Sequence, residues 1–117
     1  MMSVTLYHNP CCSKSRATLA LLEARGVAAE IRLYLEQVPS SAELTHLLSM
    51  LGMDDARSLM RKGEEAYKRE QLASPHLTQS ELINAMINHP KLIERPIVVN
   101  KGQARIGRPP ESVLEIL

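Results

Sequence analysis

Phenylalanine and tryptophan are absent from the 117 residues, and tyrosine occurs three times. The core must therefore be assembled from Leu, Ile, Val, Met and Ala, which constrains packing but names no function. Cysteine is scarce as well, and the two present, Cys11 and Cys12, are neighbours. That pair is a poor framework for a secreted disulfide scaffold, whereas a reduced thiol suits the cytosol. No segment approaches the roughly 18 consecutive apolar residues of a membrane span, and the N-terminus lacks a charged and then apolar leader. The expected location is the cytoplasm, with no membrane partner. Charge of one sign is not in excess either, with 14 Lys+Arg against 13 Asp+Glu. This balance excludes a general attraction to nucleic acid, so anion recognition must come from a local cluster. No repeat, low-complexity stretch or linker interrupts the chain, and its length suits one domain over residues 1–117.

What is present is concentrated in Tyr7-His8-Asn9-Pro10-Cys11-Cys12-Ser13-Lys14-Ser15-Arg16. A short apolar run, Val4 to Tyr7, precedes this stretch as a buried strand, and a periodic apolar segment follows it as a helix. Cys12 thus sits on the turn into a helix, where free backbone N–H groups and the positive end of the macrodipole favour thiolate over thiol. His8, Lys14 and Arg16 are near enough in sequence to add positive charge. Together these would bring a thiol from about 8.5 into the range of roughly 3.5 to 7.5 typical of activated cysteines. Free cysteines are often inert core residues, but a strand, a Pro-bearing turn and a basic helix start coincide at Cys12. Cys11 reads the other way. A strained vicinal disulfide or, with His8, a metal site is conceivable there, but familiar zinc spacings hold cysteines further apart, so no bound metal is expected. His46, His76 and His89 likewise lack companions at metal spacing.

The first helix should stop at Gly26, and Ala29 to Leu35 alternates as a strand does. Ser40 with Glu43 matches a capping box for a helix carrying Leu44, Leu47, Leu48 and Leu51, closed by Gly52. A second helical stretch is expected from Asp54 to about Met60, followed by a solvated charge run from Lys62 to Glu70. Thr78 and Glu81 repeat the capping box, and Pro90 marks the end of that helix. Pro96 to Asn100 and Ala104 to Gly107 form a hairpin about Lys101-Gly102-Gln103, and a terminal helix runs from Glu111 to Leu117. The order β-α-β, helices, β-β-α predicts an α/β fold: a thioredoxin-like mixed four-stranded sheet with an inserted helical region. The cysteine turn then lies at the carboxyl end of the first strand, where α/β sheets commonly place ligands.

The stretch His8 to Arg16, together with Leu59-Met60-Arg61-Lys62, Asn88 to Val99 and Arg108-Pro109, resembles in order and spacing the glutaredoxin-coupled arsenate reductases. The similarity runs over essentially the whole chain. It implies that Cys12 is the nucleophile and that His8 helps keep it ionised. It assigns Arg61, Arg95 and Arg108 to binding the oxyanion, a task guanidinium forks suit because they donate paired hydrogen bonds and stay charged. It makes Ser15 and Pro96 structural residues of the site, with a cis bond before Pro96. Arsenate or a similar oxyanion, glutathione as co-substrate, glutaredoxin as partner, no bound cofactor and a monomeric chain are further implications. One departure is Ser13-Lys14, where a Gly-Thr pair follows the cysteine in the best-known detoxifying members. Cys-Ser-Lys-Ser resembles a subgroup, and Lys14 adds a cation beside the anion site. Arg16 and Arg57 have no role assigned by the resemblance.

The mechanism so implied starts with attack of the Cys12 thiolate on arsenate, after which glutathione and glutaredoxin complete the reduction. External thiols also follow from the residues, because Cys12-Ser13-Lys14-Ser15 lacks the second cysteine of a CxxC pair and Cys11 is too close for an unstrained disulfide. Phosphatase-like reductases need a cysteine and an arginine further apart than Cys12 and Arg16. A thioredoxin-like regulator that binds RNA polymerase usually senses oxidation through CxxC, which is missing here. A glutathione-dependent thiol oxidoreductase with another substrate is the strongest alternative.

Overall fold

Apolar four-residue runs separated by helix-forming segments are too short to be stable alone, so their backbone groups must pair across a sheet. The computed structural model describes residues 4–117, and the beginning of the segment read for a leader lies outside the described residues. Two compact units are present, one made of the described residues of Met1–Gln37 with Arg95–Leu117, the other of Val38–Glu94.

In the first unit, β1 (Val4–Tyr7), α1 (Ser13–Ala24) and β2 (Ala29–Arg32) form a β-α-β unit, and β3 (Ile97–Asn100) with β4 (Gln103–Ile106) forms a hairpin. The sheet order is β2-β1-β3-β4. β1 pairs in parallel with β2, with Leu6 opposite Ile31, and antiparallel with β3, with Leu6 opposite Val98. This is the expected thioredoxin-like mixed sheet. Lys101 and Gly102, at φ 53 and φ 76, make the two-residue turn joining β3 to β4, the left-handed geometry that matches strand twist in tight hairpins. Leu6, Leu22, Val98, Val113 and Ile116 form the core, with Val4, Leu19 and Val27 packed against it. Each such aliphatic contributes about 1.5–3 kcal/mol by leaving water. Asn100 closes the end of this core, its Nδ2 donating to Ile116 O at 2.6 Å.

Helix α1 ends as expected: Gly26 takes φ 71 and its N–H donates to Glu23 O. Two expectations in this unit need correction. β2 stops at Arg32 and does not run to Leu35, because Leu33 O accepts from both Glu36 N and Gln37 N and turns the chain, while Tyr34 is drawn inside. The terminal helix is a 3₁₀ helix over Pro110–Ile116, a geometry common in short chain ends.

The second unit pairs α2 (Ser41–Leu51) with α4 (Gln79–Asn88), burying Leu44, Leu47 and Leu48 from one and Leu82, Ile83 and Met86 from the other. Ser40 Oγ accepts from Glu43 N, and Gly52 closes α2 in the left-handed region at φ 72. Thr78 and Glu81 form the full reciprocal capping box. Asp54 to Met60 is not an α-helix. It contains one 3₁₀ turn, Ala56–Leu59, started by Asp55 accepting from Arg57 N and tied to α4 through Gln79, which accepts from Ala56 N at 3.0 Å. The charge run carries a short helix, α3 (Glu65–Arg69), without a buried residue. An isolated antiparallel bridge joins Met60 and Ile93. Among the described residues no helix is long and apolar enough to cross a membrane.

Candidate active site

The site is built on the loop between β1 and α1. His8 N donates to Arg32 O at 2.9 Å and keeps the exit of β1 attached to the neighbouring strand. Asn9 then turns the chain: its Oδ1 accepts from Cys11 N at 2.9 Å and its carbonyl from Cys12 N at 3.0 Å. Arg16 Nη1 donates to Pro10 O at 2.8 Å, so Arg16 is a clamp on the loop. Asn9 is a site residue that the sequence reading passed over. The Asn-Pro dipeptide, a turn initiator, was the available signal.

Cys12 is the N-cap residue of α1, with extended backbone and only 8% exposure. Its side chain closes no cap hydrogen bond. Burial pushes the thiol up, but the Ser15 N–H, Arg95, the Lys14 N–H and Arg108 together outweigh it and hold Cys12 below the ordinary thiol value. The helix start thus stabilises sulfur once sulfur is charged. Arg108 Nη2 is 3.7 Å from Cys12 Sγ and donates to it, while Arg108 Nε donates to Arg95 O at 2.9 Å. These bonds aim one guanidinium at the thiol and tie it to the segment bearing the other. Arg95-Pro96 is cis, as the resemblance implied, and so is Arg108-Pro109, which it did not.

His8 is buried, with Nδ1 2.6 Å from Ser15 Oγ, and Ser15 Oγ also accepts from Asn9 N at 3.0 Å. Burial, with help from the Arg16 charge, holds His8 below its ordinary value. The expected positive charge from His8 is not supported: burial and Arg16 favour its neutral form, and its ring is bonded to Ser15, whose N–H is among the groups that lower the Cys12 thiol.

Arg61 belongs to the second unit. Its N–H donates to Leu92 O at 2.7 Å beside the Met60–Ile93 bridge, and its half-exposed guanidinium pairs with Glu64 at 3.0 Å. Arg57 is structural: Nε donates to Leu72 O at 2.7 Å, Nη2 donates to Ser74 O, and Nη1 pairs with Asp55. Cys11 is an exposed free thiol, and Cys12 is free as well. Among the described residues no group of three or more His, Cys, Asp or Glu is placed to hold a metal ion.

A cysteine at a helix start, with its thiol held below the ordinary value and a guanidinium 3.7 Å from its sulfur, is chemically suited to attack an anion. The profile of the ArsC family matches residues 7–116. The uncharacterized protein YfgD of Escherichia coli strain K12 is 57% identical, covering 97% of this chain and 96% of its own. A Haemophilus influenzae protein named arsenate reductase is 54% identical, covering 99% of this chain and 100% of its own. The solved structure of an arsenate reductase from Vibrio cholerae superposes with a TM-score of 0.97 at 58% identity, covering 99% of this chain and 98% of its own. The chain belongs to the ArsC family.

Proposed function

We propose that this protein is an arsenate reductase that uses glutathione and glutaredoxin, with Cys12 as nucleophile and residues 1–117 acting as one arsenate-reductase-like domain. The observation that carries the reading is the Arg108 guanidinium seated on a thiol held below its ordinary value. The thiolate attacks the arsenic(V) centre, forming a sulfur–arsenic bond while one oxygen leaves as water. Arg95 and Arg108 balance the charge of the tetrahedral adduct, and the family resemblance assigns Arg61 to the same oxyanion. The glutathione thiol then displaces a second oxygen as water, the glutaredoxin thiolate attacks the glutathione sulfur so that its bond to arsenic breaks with the electron pair going to arsenic, and water splits the remaining Cys12–arsenic bond to free the Cys12 thiol. Arsenic gains two electrons and leaves as arsenite, and the thiols that supply them end as a disulfide. His8, Ser15 and Pro96 keep the loop and the arginine segment in place, and the reaction runs in the cytoplasm.

Purified protein supplied with arsenate, glutathione and glutaredoxin should form arsenite, and omission of either thiol should stop turnover after the adduct. Absence of arsenite with all three present would sink the assignment. A second reading, glutathione-dependent thiol chemistry on a different substrate, is favoured by Lys14, an exposed cation on the first turn of α1. If Lys14→Thr raises arsenate turnover, Lys14 tunes the site for another anion.

A further inference from the structure

Gly107 precedes Arg108 and lies buried at the end of β4. Its φ is not in the left-handed region, so its backbone would accept any side chain. Space forbids one. A Cβ there would lie 2.5 Å from Thr18 Oγ1 and 2.8 Å from Pro96 Cγ. Neither neighbour can yield easily. Thr18 is fully buried with Oγ1 donating to Lys14 O at 2.9 Å, and the Pro96 ring is rigid.

We propose that the Gly107–Thr18 contact is a positioning device for the reaction, the close approach that seats Arg95 and Arg108 against the Cys12 sulfur. Thr18 is one helical turn beyond Lys14, so its side chain is tied to the first turn of α1, from which Cys12 projects. On the opposite side, Gly107 N donates to Pro96 O at 2.9 Å and Arg108 Nε to Arg95 O at 2.9 Å. The segment carrying both arginines therefore moves with Gly107, and the helix start carrying the thiol moves with Thr18. Because the Arg108 Nη2 to Cys12 Sγ distance is already 3.7 Å, any withdrawal of Gly107 weakens that contact. Gly107 and Thr18 touch neither substrate nor sulfur; they act through Arg108 and the α1 start.

The test is the pH profile of Cys12 alkylation by iodoacetamide in a Cys11→Ser background, with a fold check by circular dichroism. Gly107→Ala should raise the alkylation midpoint by about one unit, the order expected when an opposite charge is withdrawn from a titrating group. It should also lower kcat/KM for arsenate about tenfold or more, since small misplacements of positioned groups are costly. Adding Thr18→Ala should return the midpoint part of the way, because one of the two close contacts is removed. Thr18→Val, which keeps the volume, should not. A folded Gly107→Ala protein with an unchanged midpoint would overturn the proposal. Should Gly107→Ala fail to fold alone, Gly107→Ala/Thr18→Ala decides: recovery of fold with a midpoint raised by less than about one unit supports the device, and continued unfolding or an unchanged midpoint overturns it. The inference rests on Cys12 as the nucleophile. Because alkylation needs no arsenate, it survives failure of the substrate assignment.

Discussion

Helices α4 and α1 begin in opposite ways. At α4, Thr78 Oγ1 accepts from Glu81 N and Glu81 Oε1 accepts from Thr78 N, so first-turn donors are satisfied by neutral and carboxylate oxygen. At α1 the cap is Cys12, whose side chain closes no cap hydrogen bond, while the Ser15 and Lys14 N–H groups help hold its thiol below the ordinary value. The same kind of backbone donor serves a neutral and carboxylate cap in one place and lowers a thiol in the other. A helix start is thus a resource that either function can use, and a cysteine at the cap gives up helix stability for thiolate character.

Cys12→Ser is the sharpest way to break this contrast and has the largest expected effect. A serine hydroxyl is a poor nucleophile without an adjacent base, so arsenate turnover should fall to background. Serine is also a good N-cap, so at a pH low enough to keep Cys12 protonated the inactive variant should be more stable than the parent by about 0.5–1 kcal/mol in urea unfolding. Cys11→Ser should keep most activity. Equal loss from both cysteine changes would replace the external-thiol mechanism with a Cys11–Cys12 redox pair.

Two arginines provide the next comparison. Arg108→Ala removes a donor aimed at the sulfur and should lower kcat/KM by about 10²–10³-fold while raising the Cys12 alkylation midpoint. Arg57→Ala leaves the Leu72 and Ser74 carbonyls without their donor and should cost about 1–3 kcal/mol of stability, with the midpoint unmoved. A midpoint shift in Arg57→Ala would show that the assigned roles are wrong. Smaller still is Thr78→Ala, which should cost about 1 kcal/mol in thermal or urea unfolding and leave turnover per folded molecule unchanged.

What the residues alone revealed follows the range of the forces involved. Gly26, Gly52, Ser40 and the Thr78/Glu81 box are local signals and hold at the expected positions. The end of β2 is not local, since it depends on Tyr34 finding the interior, and alternation through Leu35 could not show that. Ala56–Leu59 and Pro110–Ile116 have helical composition but adopt the tighter 3₁₀ form, which side-chain pattern does not distinguish over so few residues. The site divides similarly. Cys12 was marked by its own strand, turn and helix, whereas Arg95 and Arg108 came from the family resemblance and Gly107 from neither. The meeting of Gly107 with Thr18 joins residues distant in sequence, and only the folded chain displays it.

The smallest effect expected is a pH dependence of stability, and it tests the same helix start by another route. Cys12 in the folded chain is held below the ordinary thiol value, so between its folded and unfolded values the unfolded chain binds more protons. Stability therefore rises with pH through that window, is complete above the unfolded value, and is lost as pH falls through the folded one. His8, held below 6.5 by burial and Arg16, gives a second window of the same sign at lower pH, where protonating the buried ring costs stability. The two can be separated by urea unfolding as a function of pH. Cys12→Ser should flatten the upper window and leave the lower one, and His8→Ala should flatten the lower one. If His8→Ala also raises the Cys12 alkylation midpoint, the path runs through Ser15, because a neutral ring has no charge to lose. Ser15→Ala should then reproduce that rise. A midpoint that moves with His8 but not with Ser15 would restore His8 as a direct electrostatic partner of the thiolate.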